Sequence, residues 1–140
     1  MDGRASDRSA VLLRHDVPGK AAHFDWMLER APAGEPGAAA EDERRLVAFR
    51  LNVGVDPMRD GAFAAQRIGE HRAVYLHKEG DLGRGRGTVT RLWLASLVEY
   101  RESDGELAAA LERGGALVYL LGHPVGGDLW RFVAEGGSAG

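Results

Sequence analysis

Cysteine is absent from this chain, which excludes disulfides, thiolate metal sites and thiol nucleophiles. Lysine is nearly absent too: among 18 basic residues only Lys20 and Lys78 are not arginine. The positive charge is therefore carried by guanidinium forks, which suit phosphate better than point charges do. Coding bias in a GC-rich genome yields the same arginine, alanine and glycine enrichment and is the weightier explanation of the bulk numbers. No apolar run approaches the roughly 20 residues of a membrane span. The polar start MDGRASDRSA reads as neither a signal nor a transit peptide, so the expected compartment is the cytoplasm and no membrane partner is expected. A formal net charge of −3 excludes a generally basic nucleic-acid-binding surface and leaves room only for a local basic patch. No internal repeat is visible.

What is present is a chain of 140 residues, 44% hydrophobic and 28% charged, long enough for one domain with a real core. Residues 1–9 read as a disordered lead-in, 10–134 as the domain and 135–140 as a flexible tail. Strands are expected at about 10–15, 22–29, 45–51, 71–79 and 88–94, from β-branched and apolar alternation. Residues 31–44, rich in Ala, Gly, Pro and Glu, read as a surface loop or insertion, and 62–68 as a short helix or an irregular approach. The segment from Asp104 to Arg113, with a capping Asp, many Ala and Leu, and Gly114-Gly115 as a stop, is the best helix candidate. Residues 116–121 and 128–134 read as a closing hairpin around a turn at 122–127. Many short strands, with 20 glycines mostly punctuating turns, predict a mainly β fold. The expected form is a small curved β-barrel with one or two short helices.

The most informative run is RHDVPGKAAHFDWMLER, residues 14–30. In a strand, positions i and i+2 share a face, so His23 and Asp25 face one way while Phe24, Trp26 and Leu28 form an apolar row opposite. Upstream, His15 ends the apolar strand Ala10-Val11-Leu12-Leu13, beyond a segment (16–20) with turn chemistry. A hairpin brings two imidazoles and a carboxylate together, a donor set suited to Mn²⁺, Fe²⁺ or Zn²⁺ with positions left open. Each of these residues taken alone is more often a solvated or hydrogen-bonded surface group. Asp16 and Glu29 are candidate carboxylate partners for the imidazoles. His77 and His123 read as surface histidines, and Trp26, Trp93 and Trp130 as core rather than base-stacking platforms. The stretch Gly83-Arg84-Gly85-Arg86-Gly87 reads as a tight hairpin with exposed arginines more readily than as a phosphate cradle, and it is not a dinucleotide fingerprint.

A second constellation is His71-x-x-x-Tyr75, then Glu79-Gly80, the 83–87 glycine-arginine stretch, Thr88-Val89 and Trp93. With His15 … His23-x-Asp25 … Leu28-Glu29 and the closing Leu121-Gly122 … Gly127 … Trp130-Arg131-Phe132, it resembles the 3′-phosphoesterase domain of bacterial DNA ligase D. It looks closer to that domain's short stand-alone bacterial relatives than to the full ligase, and the resemblance covers about residues 10–133. The resemblance implies a curved β-barrel and Mn²⁺-dependent trimming of DNA 3′ ends in repair. It also implies removal of a 3′-terminal ribonucleotide and then of the remaining 3′-phosphate, on a primer–template or nicked duplex, with a separate repair ligase or polymerase as a conceivable partner. By the same resemblance the metal ligands fall on His15, His23 and Asp25, and the phosphate-side catalytic pair on His71 and Tyr75.

Met27 departs from the family pattern, which has an arginine two residues after the metal-binding aspartate. A replacement phosphate-binding guanidinium would come from Arg14, Arg50, Arg84 or Arg86. The 15–23 connection is two residues longer than in the ligase pattern, and a proline-lysine-glycine segment is missing after the third strand. Two alternatives follow. One is a catalytically degenerate module that binds DNA 3′ ends. The other is a small non-haem Fe(II) enzyme built on His23, Asp25 and His71, for which 140 residues is short and which leaves His15 without a role.

Overall fold

A computed structural model describes residues 8–30 and 43–135. Residues 1–7 of the expected 1–9 lead-in, most of the 31–44 loop and the last five residues of the tail lie outside that range. Nine strands form one sheet: β1 (Ser9–Asp16), β2 (His23–Glu29), β3 (Arg44–Leu51), β4 (Ala62–Arg72), β5 (Gly80–Asp81), β6 (Thr88–Ser103), β7 (Glu106–Arg113), β8 (Ala116–Gly126) and β9 (Leu129–Ala134). Every pairing is antiparallel, in the order β1-β2-β3-β4-β9-β8-β7-β6-β5, and a further β1–β6 pairing closes eight strands into a ring. The mainly β, strongly curved architecture expected from the sequence is the one found. Among the described residues no helix is long and apolar enough to cross a membrane.

Alternation sorts the side chains into two apolar groups. Inside the ring, Leu12, Trp26, Leu28, Val47, Phe49, Leu51, Phe63, Leu107, Leu111, Trp130 and Phe132 pack together. Phe132 is the hub, its ring centroid 5.0 Å from Phe49, 5.1 Å from Trp26 and 5.4 Å from Phe63. Such aromatic pairs contribute about 0.5–1.5 kcal/mol each beyond burial. All three tryptophans lie in this core, as expected. Outside the ring, Val11, Leu13, Met27, Leu46, Ala48 and Val89 form a second cluster, covered by Ile68, Tyr75, Leu76 and Leu82. Apart from Ile68 of β4 itself, the cover is a segment that leaves β4, makes a single 3-10 turn at Ala73–Leu76 and returns through β5.

The expected helix at 104–113 is instead β7. Asp104 and Gly105 have φ of 53° and 78°, and Gly114 and Gly115 have 59° and 88°. Positive φ at both central residues marks a two-residue hairpin loop whose twist matches the flanking strands, so the expected cap and stop are hairpin turns. Leu107, Ala109 and Leu111 point inward at period two, and burial against the core overrides the helical preference of Ala and Leu. Residues 62–68 belong to β4, since Phe63 and Ala65 alternate into the core, and Ser9 and Arg44 are strand residues. The strand expected at 71–79 ends at Arg72, where the chain turns to cover the outer cluster. The closing hairpin is present, but β8 runs through Gly122, and the turn lies between Gly126 and Leu129. Gly122 faces Phe132 across the ladder, and a Cβ there would lie 2.3 Å from the Phe132 ring.

Candidate functional site

The β1–β2 hairpin aligns His15 directly with His23, and the β2–β3 ladder aligns Asp25 with Arg50. These cross-strand pairs share the outer face of the ring, because residues 11, 13 and 15, then 23, 25 and 27, then 46, 48 and 50 alternate with the inward-facing set. The end of β4 adds His71 and the 3-10 turn adds Tyr75, and their rings meet edge to face at 5.7 Å. His15, His23, Asp25, Arg50, His71 and Tyr75 thereby line one cavity of about 240 Å³, walled by Leu13, Met27, Leu82 and Val89.

Hydrogen bonds fix the ring orientations. His15 Nε2 lies 2.8 Å from the Arg86 carbonyl oxygen, which can only accept, so this nitrogen carries the proton. In the neutral ring, Nδ1 then presents its lone pair to His23 Nε2 at 2.9 Å. A backbone carbonyl holding the far N–H of an imidazole is the usual support of a metal-ligating histidine. His23 Nε2 also lies 3.8 Å from Asp25 Oδ2, a carboxylate that is 8% exposed. Burial holds the His23 imidazole below its ordinary pKa, Arg50 and His15 act in the same direction, and Asp25 opposes them. His23 is thereby kept toward the neutral form that ligates metals. His71 Nδ1 donates to the Gly69 carbonyl at 2.8 Å, which leaves Nε2 for other partners.

Among the described residues, no three His, Asp or Glu side chains already converge as a ready metal-holding group. The donors that face one another are His15 Nδ1, His23 Nε2 and Asp25 Oδ2, and their chemistry suits a borderline divalent ion. An ion binding there would take the place of the His15–His23 hydrogen bond.

Of the four candidate phosphate-binding arginines, Arg50 lines the cavity. Its Nε donates to Asp25 Oδ1 at 3.0 Å, and its terminal nitrogens have no partner among the described residues. Arg14 is held by Asp16 and lies over the Phe24 ring, 5.8 Å from its centroid. The Arg86 guanidinium folds back onto the carbonyls of Leu82 and Gly83, while Arg84 stands exposed in the hairpin with φ of 55°. Met27, at the position of the expected arginine, is buried in the cavity floor at 2% exposure. Asp16 and Glu29 do not support the imidazoles: Asp16 pairs with Arg14, and buried Glu29 accepts from Arg45 Nε and the Ser9 amide, both at 2.9 Å. His77 and His123 are exposed. Sequence reasoning missed the apolar walls and the Arg86 carbonyl; a glycine-rich stretch returning beside His15 was the one available signal.

No family model matches the chain, and no curated protein matches it in sequence.

Proposed function

We propose that the protein is a metal-dependent phosphoesterase that trims DNA 3′ ends, removing a terminal ribonucleotide and a 3′-phosphate. The observation that carries this reading is the single cavity uniting His15, His23 and Asp25 with Arg50, His71 and Tyr75, residues drawn from positions 15 to 75 of the chain. His15, His23 and Asp25 would hold the ion, with Mn²⁺ first and Zn²⁺ or Fe²⁺ as the other choices. When bound, such an ion polarises a phosphoryl oxygen and lowers the pKa of a water nucleophile. The terminal nitrogens of Arg50 receive two non-bridging phosphate oxygens, a geometry that guanidinium forks favour. The Tyr75 hydroxyl donates to a phosphate oxygen. With Nδ1 tied to Gly69, the protonated ring of His71 delivers a proton from Nε2 to the leaving oxygen. The apolar walls Leu13, Leu82 and Val89 keep bulk water from screening these charges.

The burial of Met27 supports a second reading. The site lacks a guanidinium at this place in its floor, as it would in a module that binds DNA 3′ ends without turnover. One assay separates the two: trimming of a 5′-labelled primer–template bearing a 3′-phosphate or a 3′-terminal ribonucleotide, with Mn²⁺, Mg²⁺, Zn²⁺ or EDTA, beside His23→Ala. Metal-dependent trimming that disappears in His23→Ala supports the enzyme. His23-dependent metal binding without trimming supports the end-binding module, and loss of both outcomes overturns each.

A further inference from the structure

A second, larger cavity of about 600 Å³ adjoins the site, lined by Arg50, Asn52, Gln66 and Asp128 with Ala22 and Leu129 among its apolar surfaces. It opens where β3 ends, beside β4 and the turn between β8 and β9. Arg50 belongs to both cavities, and Ala22 immediately precedes His23. Arg50 is therefore shared, and a group esterified to a phosphate on its terminal nitrogens has the larger space open to it.

The lining indicates the chemistry of that group. The Asp128 carboxylate repels a second phosphate but accepts from sugar hydroxyls and exocyclic amines. Asn52 and Gln66 each offer both a donor and an acceptor, the combination that matches the edge of a nucleobase. Ala22, Ala64 and Leu129 supply apolar surface for a ring face. The volume lies within the roughly 300–1,000 Å³ common to small-molecule sites.

We infer that the larger cavity is a nucleoside subsite. In it Asp128 and Gln66 hydrogen-bond the nucleoside whose phosphate is held by Arg50. The inference rests on the phosphoesterase-type reading of the smaller cavity and adds the determinant of preference for a nucleotide over a bare phosphate ester. It makes Gln66 and Asp128 specificity residues, distinct from the histidine cluster.

The test uses the full chain with Mn²⁺ and two substrates: a dinucleotide with a 3′-phosphate, and bis(p-nitrophenyl) phosphate, which has no nucleoside. In Gln66→Ala and Asp128→Ala the ratio of kcat/KM for the dinucleotide to that for the simple ester should fall about tenfold, the loss of one good hydrogen bond to the ligand. The change should appear in KM rather than kcat. A ratio within twofold of wild type in both variants overturns the inference while leaving the phosphoesterase intact. If the wild type hydrolyses neither substrate, the phosphoesterase reading fails, and equilibrium binding decides the cavity. In that case a fluorescein-labelled dinucleotide 3′-phosphate must bind at least tenfold more tightly than inorganic phosphate competes, and both variants must lose that margin. Equal binding, or variants that keep the margin, overturns the subsite.

Discussion

Gly87 is where the hairpin of residues 83–87 touches the end of β1, and replacing it with alanine tests whether that contact serves the candidate site. An added Cβ would lie 1.9 Å from the Asp16 carbonyl oxygen and 3.0 Å from Val17 Cα, with the backbone at φ of 96°. Relief requires the hairpin and the end of β1 to part by about 1 Å, since unstrained heavy-atom contacts of this kind are not shorter than about 3 Å. The preceding residue, Arg86, supplies the carbonyl that holds His15 Nε2 at 2.8 Å, and the same displacement carries that bond beyond useful length. His15 then loses the anchor that aims Nδ1 at His23. The conformational strain alone costs about 1–2 kcal/mol, and the broken bond about 1 kcal/mol more. Loss of this kind of support typically lowers metal affinity or activity about 10–100-fold. Gly85→Ala is the control: its φ of 71° imposes similar strain, but nothing lies within 4 Å of the added carbon. Thermal unfolding should show both variants destabilised, whereas Mn²⁺ titration calorimetry and end trimming should show the 10–100-fold loss only in Gly87→Ala. Equal Mn²⁺ affinities in the two folded variants would refute the positioning argument.

Two further expectations concern the fold. Gly122→Ala drives a methyl into the Phe132 ring and should destabilise by about 1–3 kcal/mol, as overpacked cores do. Adding Phe132→Leu should recover part of that loss, visible as non-additivity in urea unfolding, and strict additivity would rule out the clash. The Arg67 guanidinium beside Glu102 holds that carboxyl below its ordinary pKa, with a further bond from Tyr100. A carboxylate with a depressed folded pKa stabilises above its unfolded value and loses that contribution as pH falls through the folded one. The Tm advantage of wild type over Glu102→Gln should therefore be present at pH 7 and shrink below about pH 4; because the pair is partly exposed, the advantage should be at most about 1 kcal/mol. An advantage that persists unchanged at pH 2 would exclude this cause.

The parts of the site that follow a period of two were legible in the sequence. His23 and Asp25 share a face opposite Phe24, Trp26 and Leu28 because adjacent strand residues alternate, and His15 joins them through a local hairpin. Arg50 could be named among four arginines but not selected. Its place depends on the register of β2 against β3, which is set by the packing of Trp26 on Phe49. His71 and Tyr75 illustrate a different limit. Positions i and i+4 share a face in a strand and lie on neighbouring turns of a helix, so their spacing did not reveal that the strand ends at Arg72, between His71 in β4 and Tyr75 in the 3-10 turn. The segment 106–113 was misread because its Ala and Leu content speaks for a helix, while the decisive signals, Asp104-Gly105 and Gly114-Gly115, are shared by helix caps and two-residue hairpin loops.

The location of the site on the outer face follows from what fills the ring. An eight-stranded ring encloses little more than its own side chains, and here Trp26, Phe49, Phe63, Trp130 and Phe132 occupy that space. Polar chemistry has to be placed elsewhere, yet an open outer face would leave Asp25 and the histidines in bulk water, where their mutual interactions are weak. The segment between β4 and β6 resolves this conflict. It lays Tyr75, Leu76 and Leu82 over Leu13, Met27 and Val89, builds a second apolar cluster, and buries Asp25 beside it. Its two anchors to the site are different in kind: Tyr75, against His71 at the end of β4, contributes a side chain, whereas Arg86 contributes a backbone carbonyl. The covering segment is thus part of the candidate site, and substitutions that loosen it should impair the site before they unfold the ring.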